Sequence, residues 1–244
     1  MVLLINPLVI SAEGNRPDSV IPAKEKGAQD ASGEFPLRTG LFDYSAQGYT
    51  VFIPSNAFSL SFAPVLVCFP GAGVKSKEDL EHWSSMAEAK GIVVLDLDVD
   101  YNRIVSFADI DRLSGKITAI VDELARQYPI NREKILLAGT SIGGMLAVSL
   151  GLRNPGKFAG VGIVSGALLR FGSETQLRNA RGRHFYIVHG AKDDMIPIEI
   201  VSQTKQILEK NGALINYRIF AEDKHPVSPA GYIQIIEWMF GDSS

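Results

Sequence analysis

Residues 134–153 read KILLAGTSIGGMLAVSLGLR, and their interpretation decides the fold. KILLAG (134–139) has the length and branched apolar content of a buried strand, and GGMLAVSLGLR carries helical spacing. Between them lies Gly139-x-Ser141-x-Gly143. Ser141 is either a nucleophile raised on a sharp strand-to-helix turn or a small residue among glycines. With 23 glycines in 244 residues, such a triplet has little weight alone, so its surroundings must decide.

Outward from this stretch, short apolar runs alternate with longer helical segments from residue 40 onward. Strands are predicted at 41–46, 49–54, 65–69, 92–98, 134–139, 160–165, 184–190 and 215–220, and helices at 77–90, 109–128, 144–153, 199–211 and 229–240. Gln47-Gly48 separates the first two strands as a hairpin turn would, whereas the later separations leave room for crossover helices. The fold class is therefore α/β: about eight strands in a mostly parallel sheet, helices on both faces. The link GALLRFGSETQLRNARGR (166–183) is too short for a large lid, which implies an exposed cleft.

A chain of 244 residues fits one such domain, placed at 37–244. Residues 11–36 are rich in Gly, Pro, Ser and charge without an apolar period, so 1–36 reads as an N-terminal arm or leader. The start MVLLINPLVISAEG lacks a basic flank, is interrupted by Asn6 and Pro7, and is too short to span a bilayer. A cytoplasmic protein is favoured, with a secreted or periplasmic one the alternative if this start is a trimmed signal. A net charge of -3 gives no footprint for nucleic acid. Cys68, the one cysteine, sits inside VLVCF as a core thiol.

A serine hydroxyl is a poor nucleophile at neutral pH and needs a base and a group to orient that base. HFYIVHGAKDDMIP (184–197) ends a strand and then presents Asp193 and Asp194; AEDKHPVSPAGY (221–232) places His225 before the last helix. Ser141, Asp193 and His225 thus follow three different strands, at the sheet edge where open α/β folds bind ligands. The plainer readings are a helix-capping aspartate and an ordinary loop histidine. His189 reads as a core or backbone-bonded residue, His82 and His184 as surface or strand-edge residues. PGAGVKS (70–76), after the strand at 65–69, offers the Ala72 N–H as an oxyanion donor alongside that of Ile142, the rival being a simple turn.

Other motifs fail on spacing. GAGVKS puts Ser76 where G-x-G-x-x-G needs glycine, and DLDVDYN (96–102) has Tyr101 and Phe107 where a calcium loop needs Gly and Glu. No metal and no cofactor is expected.

YPINREKILLAGTSIGGMLAVSLGLRNPGKFAGVGIVSGAL (128–168) resembles the central block of the α/β-hydrolase superfamily. It is most similar to the phospholipase/carboxylesterase, feruloyl-esterase and polyhydroxyalkanoate-depolymerase-like serine esterases. HGAKDDMIP resembles that group's acid-bearing HGxxDxxVP segment, and the resemblance puts the acid at Asp193, not Asp194. It implies an α/β-hydrolase fold without a large lid, a small-molecule ester substrate and a Ser141–His225–Asp193 relay through an acyl-enzyme. Short-chain acyl or aromatic acid esters are the expected substrates. Thioesterase or peptidase activity on the same residues, or a non-catalytic binding protein of this fold, are the alternatives. Three departures stand out: FPGAG replaces the usual His-Gly pair, Lys224 and Pro226 flank the histidine, and Ile142 is apolar.

Overall fold

Burial on both faces forces the central strands to be apolar almost throughout, and this separates them from the edge strands. In chain order the strands are β1 (Gly40–Tyr44), β2 (Tyr49–Ile53), β3 (Ala63–Phe69), β4 (Val93–Leu97), β5 (Ile130–Thr140), β6 (Gly160–Val164), β7 (His184–Gly190) and β8 (Leu214–Phe220). A computed structural model describes residues 38–59, 61–168 and 174–241. The arm predicted over 1–36, and 169–173 of the link at 166–183, lie outside the described residues. The described part belongs to one compact unit, Leu37–Ser244.

The sheet order is β1-β2-β4-β3-β5-β6-β7-β8. β1 pairs antiparallel with β2 and β2 antiparallel with β4, and every later pairing is parallel, as the sequence reading expects. β4 and β6 are buried at every position, whereas β8 alternates because it closes the sheet at its far edge.

The helices are α1 (Ser76–Asp79), α2 (Glu81–Lys90), α3 (Phe107–Gln127), α4 (Ile142–Arg153), α5 (Glu174–Leu177), α6 (Ile198–Lys210) and α7 (Pro229–Phe240). Strand side chains alternate between two cores. Val65, Val67 and Phe69 join Ile117 of α3, Leu146 of α4 and Val201 of α6, while Leu66 and Cys68 join Trp83 of α2 and Ile235 and Met239 of α7. The sheet is thus covered on both faces, an arrangement that suits a mainly parallel sheet.

Among the element boundaries that differ from the sequence reading, three have a clear local cause or consequence. The helix expected at 77–90 is two pieces, α1 and α2, joined at Leu80. α3 begins at Phe107, not Asp109, because Ser106 and Asp109 form a capping box: Ser106 N–H donates to Asp109 Oδ2 at 2.8 Å and Asp109 N–H to Ser106 Oγ at 3.3 Å. β5 starts at Ile130, four residues early. Its charged opening, NREK, is a solvent-facing strand end, with Ile130 paired to Ala63 and the register shifting before Ile135 pairs with Val65.

Candidate active site

Ser141 joins β5 to α4 with φ 56° and ψ -121°, on the side of the backbone map that a β-carbon disfavours. Glycines make room for this turn. A β-carbon on Gly143 would overlap the Phe69 carbonyl oxygen, and one on Gly144 would sit 2.8 Å from the Gly139 carbonyl oxygen. The Ser141 N–H donates to the Val164 carbonyl at 2.8 Å, which ties the turn to the end of β6. The side chain stands at the carboxyl edge of the sheet, half-buried.

Asp193 and His225 arrive at the same place from β7 and β8. His225 Nε2 lies 2.9 Å from Ser141 Oγ, and His225 Nδ1 lies 2.8 Å from Asp193 Oδ2. A carboxylate only accepts, so Nδ1 carries the proton, and the bare Nε2 accepts from the serine hydroxyl. The Asp193 side chain is fully buried and that of His225 is 12% exposed, deeper than a loop histidine in solvent. Asp194, the neighbour that the family resemblance sets aside, is exposed.

Backbone contacts fix each loop. Asp193 Oδ1 accepts from Met195 N–H at 2.9 Å and Ile196 N–H at 2.8 Å, so this aspartate both closes its own turn and faces His225. Lys192 N–H donates to the Asp223 carbonyl at 2.9 Å, joining the acid loop to the histidine loop. The His225–Pro226 peptide bond is cis.

The loop after β3 approaches the same point. Gly71 to Val74 form a turn closed by Val74 N–H on the Gly71 carbonyl at 3.2 Å, with Gly73 at φ 78°. Ala72 N–H stands outside that bond, and Ile142, as the first residue of α4, has an N–H without an intrahelical acceptor. A β-carbon on Gly71 would lie 3.9 Å from the Ser141 β-carbon, so the turn borders the serine.

Three supports were not apparent from sequence, and a fourth, His189, is the core, backbone-bonded residue that the sequence reading expects. Ser165, at φ 47°, accepts from Val227 N–H at 3.0 Å and so holds the histidine loop against β6. Gly166 lets the chain pass the Ser141 carbonyl, 2.9 Å from where its β-carbon would be. The Tyr101 hydroxyl donates to the Pro70 carbonyl at the start of the glycine turn. His189 is fully buried, its Nε2 donates to the Ile196 carbonyl at 2.9 Å, and the same nitrogen is 3.5 Å from Asp193 Oδ2. Burial holds its ring below the usual histidine range and therefore neutral.

The carboxylates of 96–102 serve separate structural ends. Asp98 accepts from Ser76 N–H at 2.9 Å and Asp100 from Asn102 N–H at 3.2 Å, while Asp96 is buried. Among the described residues no group of three or more His, Cys, Asp or Glu side chains is placed to hold a metal, and no helix is long and apolar enough to cross a membrane. Two cavities, of about 410 Å³ beside Arg132 and Arg183 and about 240 Å³ beside Tyr44 and Tyr128, include none of Ser141, Asp193 or His225 in their walls.

Comparison with known proteins finds similarity to esterases in sequence and in fold. A bifunctional acetylxylan esterase/xylanase of Neocallimastix patriciarum is 27% identical over 175 residues, which is 69% of this chain and 23% of that protein. The chain thus spans about a quarter of that relative's length. In fold it is similar to the CE1 ferulic acid esterase of Anaeromyces mucronatus, with TM-score 0.64, 17% identity, and 79% of this chain and 84% of that one covered. It is likewise similar to the Bacillus cereus carboxylesterase, with TM-score 0.60, 20% identity, and 78% and 92% covered. The family model described as phospholipase/carboxylesterase matches residues 96–239, more than half of the sequence, and the chain belongs to that α/β-hydrolase family.

Proposed function

We propose that this protein is a serine esterase whose catalytic unit is residues 37–244. The observation that carries the reading is the unbroken relay from Ser141 Oγ through His225 to Asp193, with contacts of 2.9 and 2.8 Å. Ser141 attacks the ester carbonyl as His225 Nε2 takes its proton; Asp193 orients and stabilises the imidazolium; and that proton then goes to the departing alkoxide. Water, deprotonated by the same imidazole, releases the acyl group from Ser141. The N–H groups of Ala72 and Ile142 receive the negative oxygen of each tetrahedral intermediate, aided by the positive end of α4. None of these steps uses a cofactor.

The substrates proposed are small oxyesters with a short-chain or aromatic acyl group. The two acyl types match those in the names of the acetylxylan esterase and ferulic acid esterase to which the chain is similar. Comparing oxyester, thioester and amide turnover distinguishes an esterase from a thioesterase or peptidase on the same residues. The decisive variant is Ser141→Ala, which should remain folded and lose p-nitrophenyl ester hydrolysis; undiminished hydrolysis refutes the proposal. A fluorophosphonate that leaves Ser141 of the folded wild type unmodified favours a binding protein instead.

A further inference from the structure

Behind the serine turn lies a second group of polar side chains that the relay does not use. Asp79, the last residue of α1, and Asp96, in β4, are both buried, and their carboxyls face each other. Asp79 Oδ2 accepts from Trp83 Nε1 at 2.8 Å, and its Oδ1 is 3.5 Å from Thr140 Oγ1. Thr140, which leads directly into Ser141, also lies 3.2 Å from the Tyr232 hydroxyl of α7. Asp96 differs from its neighbour. Both its carboxyl oxygens are buried without a hydrogen-bond donor from the protein.

A bare carboxylate in that position is untenable, because burying an ionised carboxyl without a partner costs far more than binding a proton. The proton on Asp96 has one natural acceptor, the carboxylate opposite. We infer that Asp96 is protonated in the folded protein at neutral pH and donates to Asp79, so that the two share one negative charge beneath the residue entering the Ser141 turn. Asp79 then has three donors: the Trp83 indole, the Thr140 hydroxyl and the Asp96 carboxyl. Thr140, donating to Asp79, accepts from Tyr232. Through this chain α1, β4, β5 and α7 meet at one charged oxygen pair, and Asp79 and Asp96 act as positioning residues for the turn.

The surrounding groups support this arrangement. In register with Asp96 stand Cys68 of β3 and Thr50 of β2, neither of them charged. Thr50 is occupied with Ser76 of α1, 3.0 Å away. Asp98 adds a further negative charge near Asp96, and Tyr101 feels both aspartates. His82 of α2 bears on Asp79, is exposed, and stacks on Tyr232. Burial pushes both carboxyls above the usual range, Asp96 the further.

The inference stands apart from any activity at Ser141, and its test does not require turnover. An aspartate free in the unfolded chain loses its proton near pH 4. If Asp96 keeps its proton when folded, folding takes up a proton above that point, and stability falls as pH rises until the folded group itself titrates. Between pH 7 and 8, with histidine and thiol changes largely outside the window, the unfolding constant of the wild type should rise about tenfold relative to that of Asp96→Asn. Infrared spectra of the folded wild type at pH 8 should show the carbonyl stretch of a protonated carboxyl, absent from Asp96→Asn. A wild type without that band, or a folded Asp96→Asn that keeps it or has a parallel stability curve, overturns the inference. Should the variant not fold, the wild-type band and the steepness of its stability curve decide alone.

Discussion

His189 and Asp193 sit at the two ends of one turn, with Nε2 of the buried imidazole 3.5 Å from Oδ2 of the carboxylate that faces His225. The same N–H holds the Ile196 carbonyl. His189→Phe removes this donor and leaves the carbonyl unsatisfied, at about 1–3 kcal/mol. Displacing Asp193 by even about 1 Å should lower ester turnover about 10²-fold. His189→Gln, which can place a donor near the Nε2 position, should recover most of both losses. Urea unfolding and kcat on a model ester check this.

The neutral state of His189 also sets a pH dependence. Burial lowers its pKa, so on the acid side the unfolded chain binds a proton that the folded one does not. Its contribution is complete above the unfolded value of about 6.5 and is lost as pH falls toward the folded one. Stability measured from pH 7 down to 5 should fall more steeply in the wild type than in His189→Gln.

Asp193→Asn presents an amide where His225 Nδ1–H needs an acceptor, and it favours the wrong tautomer of the imidazole. By analogy with serine proteases, kcat should drop about 10⁴-fold with the fold intact. Asp194→Asn, altering an exposed neighbour, should leave kcat within about twofold, since surface changes away from such contacts have small effects. Steady-state kinetics of the pair tests which aspartate acts.

Gly143→Ala puts a methyl group into the Phe69 carbonyl, a backbone atom that cannot swing aside. A loss of at least about 1–3 kcal/mol is expected. Gly156→Ala, where a β-carbon meets open space, should change stability by less than about 0.5 kcal/mol. Thermal denaturation of both variants makes the comparison.

Cys68 is fully buried, and burial raises its thiol well above the ordinary range. A thiol reagent at pH 8 should leave the folded protein unlabelled and modify one site per chain once urea unfolds it. Rapid labelling of the folded chain would contradict the packing of β3 against α2.

The sheet was legible because burial on two faces imprints near-continuous apolar runs, and KILLAG, GVGIV and HFYIVHG announce themselves. The candidate relay was legible for a related reason: Ser141, Asp193 and His225 each follow such a run, so strand position alone brings them to one edge. Their supports were not. Ser165 grips Val227 across 62 positions and Tyr101 holds Pro70 across 31, and no local pattern encodes such pairs. The early start of β5 was hidden by charged residues on a strand end that faces solvent. Asp96 lies in the strand expected at 92–98, but its alternation with Asp98 and Asp100 gave no sign that its carboxyl alone is fully buried.

The φ of 56° at Ser141 has an evolutionary edge. Holding a side-chain-bearing residue there costs of order 1–3 kcal/mol, and glycine would relieve it. A laboratory lineage selected only for surviving heat would therefore be drawn to discard this hydroxyl early. Screening for thermal tolerance and screening for turnover should pull position 141 in opposite directions.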